Sequence, residues 1–534
     1  MIHYILIALI LPLCGATTAP NVLVIVADDL GYNDISWHNP DIISPNLEKL
    51  ANDGIILESH YVLHVCSPSR AALMTGYYPI HTGRQHSVIK PEMPKGLYTN
   101  FTLMSQYFKE IGYRTHALGK WHLGFCSENY LPTRRGFDTF YGFYVGAQDY
   151  YDHTRVPDKG DQTPGYDFRD QELVDYSANG TYSPILLAER AVKLIGEHAN
   201  SYADKPMFMY LPFQNVHGPL QVPIEYEELY PDITNKKRRV VSGMVSALDD
   251  SVGMIVEKLK NAGLFDNTII VFTSDNGGPV DKGANNYPLR GSKSTLWEGG
   301  TRASAFVYSS MFENKGTIND QLIHVVDWIP TLLTAVKSQL SNDVQNRVEE
   351  FLSEKWDGID QWSMLMGDEP GKRTELLYNI DPDFSDDGVK RHGAIRVGDL
   401  KLIVGNPGDK DGHYPPDTIN YIKYQYNDNI FDSNSPSEGK LEPRAYKIDE
   451  RPIYLFNLKE DPYEYNNIAD ENHEKVEEMK IRLEEYQSTM IAPHIADETT
   501  EGNPSNFNGI WSPGWCESEP NQYQEVRKNQ NRFS

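Results

Sequence analysis

The chain has 534 residues, with 49 Lys plus Arg against 75 Asp plus Glu, for a formal charge of −26. Hydrophobic residues at 40% and aromatics at 11% supply a large core and exclude a disordered chain. The acid excess excludes a nucleic-acid footprint and disfavours docking on anionic membranes, so an anionic substrate would need a local group of cations or a metal. At about 150 residues per domain the length allows three or four units, or two where the domains are large α/β ones.

Ile5 to Leu13 is a short apolar run, too short to span a bilayer and of the length of a signal-peptide core. Small residues follow (Gly15, Ala16, Ala19), so a signal peptide over 1–19 is expected, with a buried N-terminal strand as the alternative. Val22 to Val26, bounded by Pro20 and Asp28, reads as a fully buried central strand, as do Met207 to Leu211 and Thr268 to Thr273. Between the last two, Val245, Leu248, Val252, Ile255, Val256 and Leu259 form one helical stripe, with Gly263 as its stop. Strand, helix, strand alternation predicts a mostly parallel sheet covered on both faces, with chemistry at the C-terminal strand edges.

After about residue 390 the texture changes. Ala394 to Val404 reads as a hairpin turning at Gly398-Asp399, and Glu474 to Met490 as one exposed helix. The expected organisation is a catalytic domain over 20–390 and a smaller C-terminal α+β domain over 391–534. No transmembrane anchor and no C-terminal lipid signal are expected.

Of four cysteines, Cys14 would leave with the signal peptide. Cys66, Cys126 and Cys516 remain, so at least one is unpaired or chemically special. No Cys-x-x-Cys spacing exists, which disfavours structural zinc. Asn100-Phe-Thr and Asn179-Gly-Thr are glycosylation sequons, expected on the surface of a secreted chain.

Three clusters carry chemistry. Asp28-Asp29 follows the first strand, where adjacent carboxylates repel unless a cation is near. Ser274-Asp275-Asn276-Gly277-Gly278 follows another apolar strand. Together they offer oxygen ligands, which suit Ca²⁺ or Mg²⁺ rather than zinc. The third is Cys66-Ser67-Pro68-Ser69-Arg70-Ala71-Ala72-Leu73-Met74-Thr75-Gly76, a polar turn opening a helix with Arg70 one turn in.

This third segment resembles the sulfatase family signature, in which the cysteine is oxidised in the endoplasmic reticulum to Cα-formylglycine by a generating enzyme. Gly119-Lys120-Trp121-His122-Leu123-Gly124 and Asn215-Val216-His217 match in order, together with the two acidic blocks. The likeness covers about residues 20 to 490. Gly31-Tyr32-Asn33-Asp34, Thr75-Gly76-Tyr77-Tyr78-Pro79 and Leu296-Trp297-Glu298-Gly299-Gly300 look most like the arylsulfatase B (N-acetylgalactosamine-4-sulfatase) group.

The resemblance implies an alkaline-phosphatase-like α/β fold, with a large mixed sheet flanked by helices and a smaller C-terminal α+β domain. It implies one Ca²⁺ held by Asp28, Asp29, Asp275, Asn276 and the modified Cys66. Arg70 and Lys120 would hold the residue-66 side chain. His217 and Lys293 would grip the sulfate and assist the leaving alcohol, and His122 would take the proton that releases sulfate. Lys120 and His122 are two apart and would point the same way in extended chain. With Cys66 so used, Cys126 and Cys516 are expected to pair. His64 and Gly218 stand where relatives often carry other residues, and are expected to flank the pocket and alter leaving-group specificity. Trp121, Trp297 and Tyr141-Gly142-Phe143-Tyr144 are expected to pack rather than touch substrate.

The implied activity is sulfate-ester hydrolysis on a sulfated glycosaminoglycan sugar, in a lysosome or outside the cell. The alternatives are desulfation of a phenol sulfate or glucosinolate, and a catalytically silent glycan-binding protein. A phosphoryl-transfer hydrolase of the same superfamily would be expected to use a Ser or Thr nucleophile and more than one metal.

Overall fold

Asn21–Ala27 forms a strand in which every residue is buried. Its pleat sends Val22, Val24 and Val26 into one hydrophobic core and Leu23, Ile25 and Ala27 into another, which is why the run is apolar throughout rather than alternating. In the computed structural model, which describes residues 19–381, 392–416 and 452–519, this strand lies inside a ten-stranded sheet. Thr268–Ser274 and Met207–Pro212 flank it in parallel, and Arg114–Lys120 and Thr139–Phe143 extend the parallel centre beyond Met207–Pro212. Antiparallel pairs close both sides: Ala305–Tyr308 against Thr268–Ser274, and Arg169–Asp170 against Thr139–Phe143. The sheet is therefore mixed with a parallel middle. Its register sets Ala27 opposite Ser274, so the chains leaving these two strands emerge side by side.

Helices cover both faces. Lys236–Asn261, which carries the expected stripe, and Ser183–Ser201 bury Val245, Leu248, Leu187 and Ala188 in one core. The longer helix is capped by the Asn235 side chain, which accepts from the Arg238 amide at 3.1 Å, and Gly263 follows at a φ of 70°. Cys66–Thr75 and Trp328–Lys337 pack on the other face.

A second, four-stranded antiparallel sheet is built from Glu375–Asp381, His392–Val397, Leu400–Gly405 and Ile453–Asn457. The hairpin turns at Gly398-Asp399, and the helix His473–Ser488 buries Val476, Met479 and Leu483. The first strand of this sheet lies ahead of the expected boundary at residue 391. Leu376, Leu377, Tyr378 and Ile380 are buried there, and an apolar run carries no mark of which sheet it joins. Cys126 and Cys516 form a disulfide across 390 residues of sequence. Among the described residues no helix is long and apolar enough to cross a membrane. The expected signal peptide falls outside the described residues, except for Ala19.

Candidate active site

Three parallel strands end at one place. Asp28 and Asp29 follow Asn21–Ala27, Asp275 and Asn276 follow Thr268–Ser274, and Lys120 closes Arg114–Lys120. All five side chains are buried. Asp29 has a φ of 64°, a left-handed turn that lets two consecutive carboxylates take different partners. Asp28 accepts from Lys120 Nζ at 2.5 Å. Asp29 accepts from Lys293 Nζ and from Asn276 Nδ2, the latter at 2.7 Å.

Cys66 opens the helix Cys66–Thr75, every residue of which is buried. Its Sγ lies 3.7 Å from Asp28 Oδ1, and Lys293 Nζ reaches it at 3.3 Å. Arg70 is fully buried and spends its donors elsewhere. Nε and Nη2 bond Asp275 Oδ2 at 3.0 and 2.8 Å, and Nη1 bonds the Lys120 carbonyl at 3.3 Å. The guanidinium thus fixes Asp275 and the end of the Lys120 strand. Asp275 is held in turn, since its Oδ1 also accepts the Asp29 amide at 3.3 Å.

His122 departs from the extended-chain expectation. Its φ is 56°, so the chain turns there and the two-residue alternation ends at Lys120. Nε2 lies 3.1 Å from the Ile89 carbonyl, while Nδ1 is buried without a hydrogen-bond partner among the described residues. His217 is partly exposed. Its Nδ1 donates to the Gly218 carbonyl at 2.7 Å, which leaves Nε2 as the lone-pair nitrogen, 3.7 Å from Asp29 Oδ2.

The electrostatics follow from crowding. Burial raises the Asp28 carboxyl to about 7, and Asp275 adds to this while Lys120 and Arg70 oppose it. Asp29 is buried too, yet Lys293 and His217 hold it well below the usual carboxylate range. Burial pushes the Cys66 thiol up to about 12 in spite of Lys120 and Lys293, so an unmodified cysteine here is a protonated, weak nucleophile. Burial, with Lys293 and Lys120, moves His217 down to about 3 against the pull of Asp29. His122 falls well below its ordinary value through burial and the charges of Lys120 and Arg70. Both imidazoles are neutral at pH 7.

The donor set fits a hard cation. Carboxylate oxygens of Asp28 and Asp29 converge within 4.8 Å of each other and of Cys66 Sγ and a His217 ring nitrogen. Asn276 Oδ1 is buried with no hydrogen-bond partner among the described residues, and the burial and the Asp275 charge that raise Asp28 are what a divalent ion offsets. Asp275 is adjacent, but Arg70 engages the carboxylate.

Beyond the buried centre lies a cleft of about 280 Å³, lined by Asp29, His217, Gly218 and Lys293 and, at its mouth, Asp281, Lys282 and Lys410. A Cβ on Gly218 would meet nothing within 4 Å, so that wall stands open. His64 is buried behind the cleft. Its carbonyl accepts the Ser294 amide at 2.8 Å and its ring lies 6.1 Å from His392. Trp121, Trp297, Phe143 and Tyr144 are buried packing residues. Asn100 and Asn179 are exposed. Sequence reasoning missed Asp281, Lys282 and Lys410. The first two lie just past Gly277-Gly278 and could have been found by following the chain from that block. Lys410 comes from the second sheet and gave no signal.

A sulfatase family model matches residues 20–338. The chain belongs to the sulfatase family. It is 37% identical to arylsulfatase J of Mus musculus, over 94% of this chain and 81% of that protein. It is 28% identical to arylsulfatase A of Bos taurus, over 85% of this chain and 84% of the other. Among solved structures, Ps i-CgsB in complex with k-i-k-neocarrahexaose superposes with a TM-score of 0.71 at 28% identity, covering 92% of this chain and 98% of that one. The sulfatase is a sulfuric ester hydrolase with the alkaline-phosphatase-like architecture of its structural neighbours.

Proposed function

We propose that the chain hydrolyses sulfate esters of glycosaminoglycan-type sugars, in the manner of the arylsulfatase B group, through Cys66 converted to Cα-formylglycine and one bound Ca²⁺. The observation that carries this reading is the placing of Cys66. It heads a buried helix between Asp28 and Lys293, where a cysteine thiol is protonated and has no evident use of its own.

Asp28, Asp29, Asn276 and Asp275, whose Oδ1 Arg70 does not engage, would hold the ion, with residue 66 completing the set. The ion supplies charge neutralisation for the non-bridging sulfate oxygens. The hydrated aldehyde supplies two hydroxyls on one carbon, one to attack sulfur and one whose deprotonation expels sulfate and restores the carbonyl. Lys120 and Lys293 add positive charge around residue 66, and Arg70 positions Asp275 beside it. His217 and Lys293 meet the substrate from the cleft side, where a proton is needed by the departing alcohol. His122, neutral and with Nδ1 unpartnered, accepts the proton from the second hydroxyl. Passage through the secretory pathway, to a lysosome or the exterior, accounts for modification of Cys66 and for sequons at the exposed Asn100 and Asn179.

Peptide mass spectrometry on the tryptic fragment containing residue 66, from protein secreted by a eukaryotic host, tests the proposal. Loss of sulfur and gain of oxygen at residue 66 is expected. An unmodified thiol, in a host that modifies a control sulfatase, would overturn it.

A further inference from the structure

We propose that the mouth of the cleft carries a second anion-binding subsite, built by Lys282 and Lys410, which selects sulfate esters whose leaving group bears a further negative charge. This rests on the sulfate-ester reading above and names the substrate class of the same site.

Lys282 ends a short turn, Val280–Lys282, that follows Asn276-Gly277-Gly278 directly. The turn is anchored: the Gly278 amide bonds Asn286 Oδ1 at 2.9 Å and the Val280 amide bonds Ser292 Oγ at 3.2 Å. Lys282 is exposed at the mouth, and its side chain makes no hydrogen bond or ion pair among the described residues. Lys410 is delivered from the other sheet. The segment after Leu400–Gly405 docks on the large unit through the Leu296 amide to the Pro407 carbonyl at 2.7 Å, the Gly291 amide to the Gly412 carbonyl at 2.9 Å, and Asn285 Nδ2 to the Tyr414 carbonyl at 3.0 Å. Lys410 then pairs with Asp281, each side chain remaining about one third exposed (34% and 35%). Lys237 Nζ also reaches Asp281, at its carbonyl, 3.1 Å away.

Lys410 therefore answers the Asp281 carboxylate and Lys237 its carbonyl, which leaves the Lys282 ammonium at the mouth with no carboxylate partner among the described residues, on a chain whose net charge is −26. Such a local reversal of sign at a cleft mouth attracts and orients an anion. Depth assigns which anion. His217 and Lys293 occupy the inner end beside Cys66, where the sulfate to be cleaved belongs, and the open wall at Gly218 leaves room for the sugar that departs. A group at the mouth then belongs to the leaving side: a carboxylate or second sulfate on a neighbouring sugar. A small aryl sulfate has nothing to place there.

Three sulfated disaccharides test this: one with a neighbouring uronate, its carboxyl-reduced neutral analogue, and one with a second sulfate on the neighbouring sugar. The native enzyme is expected to prefer at least one dianion over the neutral analogue, and whichever is preferred identifies the source of the charge. Lys282→Ala is expected to cut that preference in kcat/KM about tenfold, Lys410→Ala several-fold, and Lys282→Arg to restore it. Equal effects on dianion and neutral analogue, or none, overturn the subsite. Equilibrium binding of the same disaccharides to a Cys66→Ala chain separates the two failures. Lys282-dependent preference in binding without turnover by the native enzyme keeps the subsite and removes the proposed reaction. Absence of that preference removes the subsite even where turnover is normal.

Discussion

Two buried groups of charges, one at the junction of the two sheets and one at the edge of the large sheet, are finished differently. At the junction of the two sheets, Lys401, Glu298 and Glu464 are all fully buried. Lys401 Nζ lies 2.9 Å from Glu298 Oε1 and 2.7 Å from Glu464 Oε1. The Tyr378 hydroxyl joins Lys401 on Glu298 Oε1 and the Tyr61 hydroxyl donates to Glu298 Oε2, both at 2.8 Å, and the Glu298 amide donates to Glu464 Oε2, also at 2.8 Å. Three of the four carboxylate oxygens accept hydrogen bonds, and Glu464 Oε1 has its ion pair with Lys401 in place of one. At the edge of the large sheet, Asn276 Oδ1 and His122 Nδ1 have neither hydrogen bond nor ion pair among the described residues, and Asp29 and His122 hold left-handed backbone. Buried polar atoms left unpartnered, together with unusual backbone, mark a place kept ready for something that arrives. A group closed on itself marks a joint.

The largest expected effect breaks the joint. Lys401→Met leaves two buried carboxylates without their shared cation, which costs about 3–5 kcal/mol. Turnover per folded molecule should stay within about twofold of the native value, because Lys401 touches nothing at the sheet edge. Urea unfolding alongside aryl-sulfate kinetics checks both halves. A stable but inactive variant would mean that the joint governs the site rather than merely holding the sheets together.

The next effect belongs to the sheet edge. Calcium added to chelator-treated protein at a hundred times its Kd should stabilise the fold by about 3 kcal/mol and restore turnover. Because the two groups share no side chain, the same increment should appear in Lys401→Met protein. A thermal midpoint indifferent to both chelator and calcium would remove the ion from the site.

The contrast also explains what could be read from the chain alone. Asp28, Asp29, Asp275 and Asn276 were readable because each directly follows a buried apolar strand, and strand ends in a parallel sheet converge. Cys66 and Arg70 were readable as a pair, but Arg70's bonds to Asp275 and to the Lys120 carbonyl depend on tertiary approach that spacing cannot give. The turn at His122 was hidden because a positive φ on a non-glycine residue leaves no mark in composition. Glu298 stood within a recognised block, Leu296 to Gly300, yet its side chain serves the joint with residues 401 and 464. Lys410 was unreadable for the same reason, since it belongs to a contact between the two sheets, and the strand Glu375–Asp381 was unreadable because an apolar run does not say which sheet it joins.

The smallest expected effect tells whether the joint titrates. Burial raises Glu464 from an ordinary 4.5 to about 7, with Glu298 adding to the rise and Lys401 opposing it. Glu298 itself is held down by Lys401, Arg302 and Arg396 despite its burial. One cation between two carboxylates thus leaves the second carboxyl holding its proton. A raised folded value means that the folded state binds the proton more tightly than the unfolded one. This contribution is therefore complete below about 4.5 and is lost as pH rises through about 7. Glu464→Gln keeps the shape of the protonated acid and cannot ionise. Native stability minus variant stability should fall by about 2 kcal/mol between pH 5 and pH 7.5 and then level off. Unfolding measured at matched ionic strength across that range decides it. A flat difference would show that Glu464 is ionised throughout, and that Lys401 with Arg396 nearby suffices for both carboxylates.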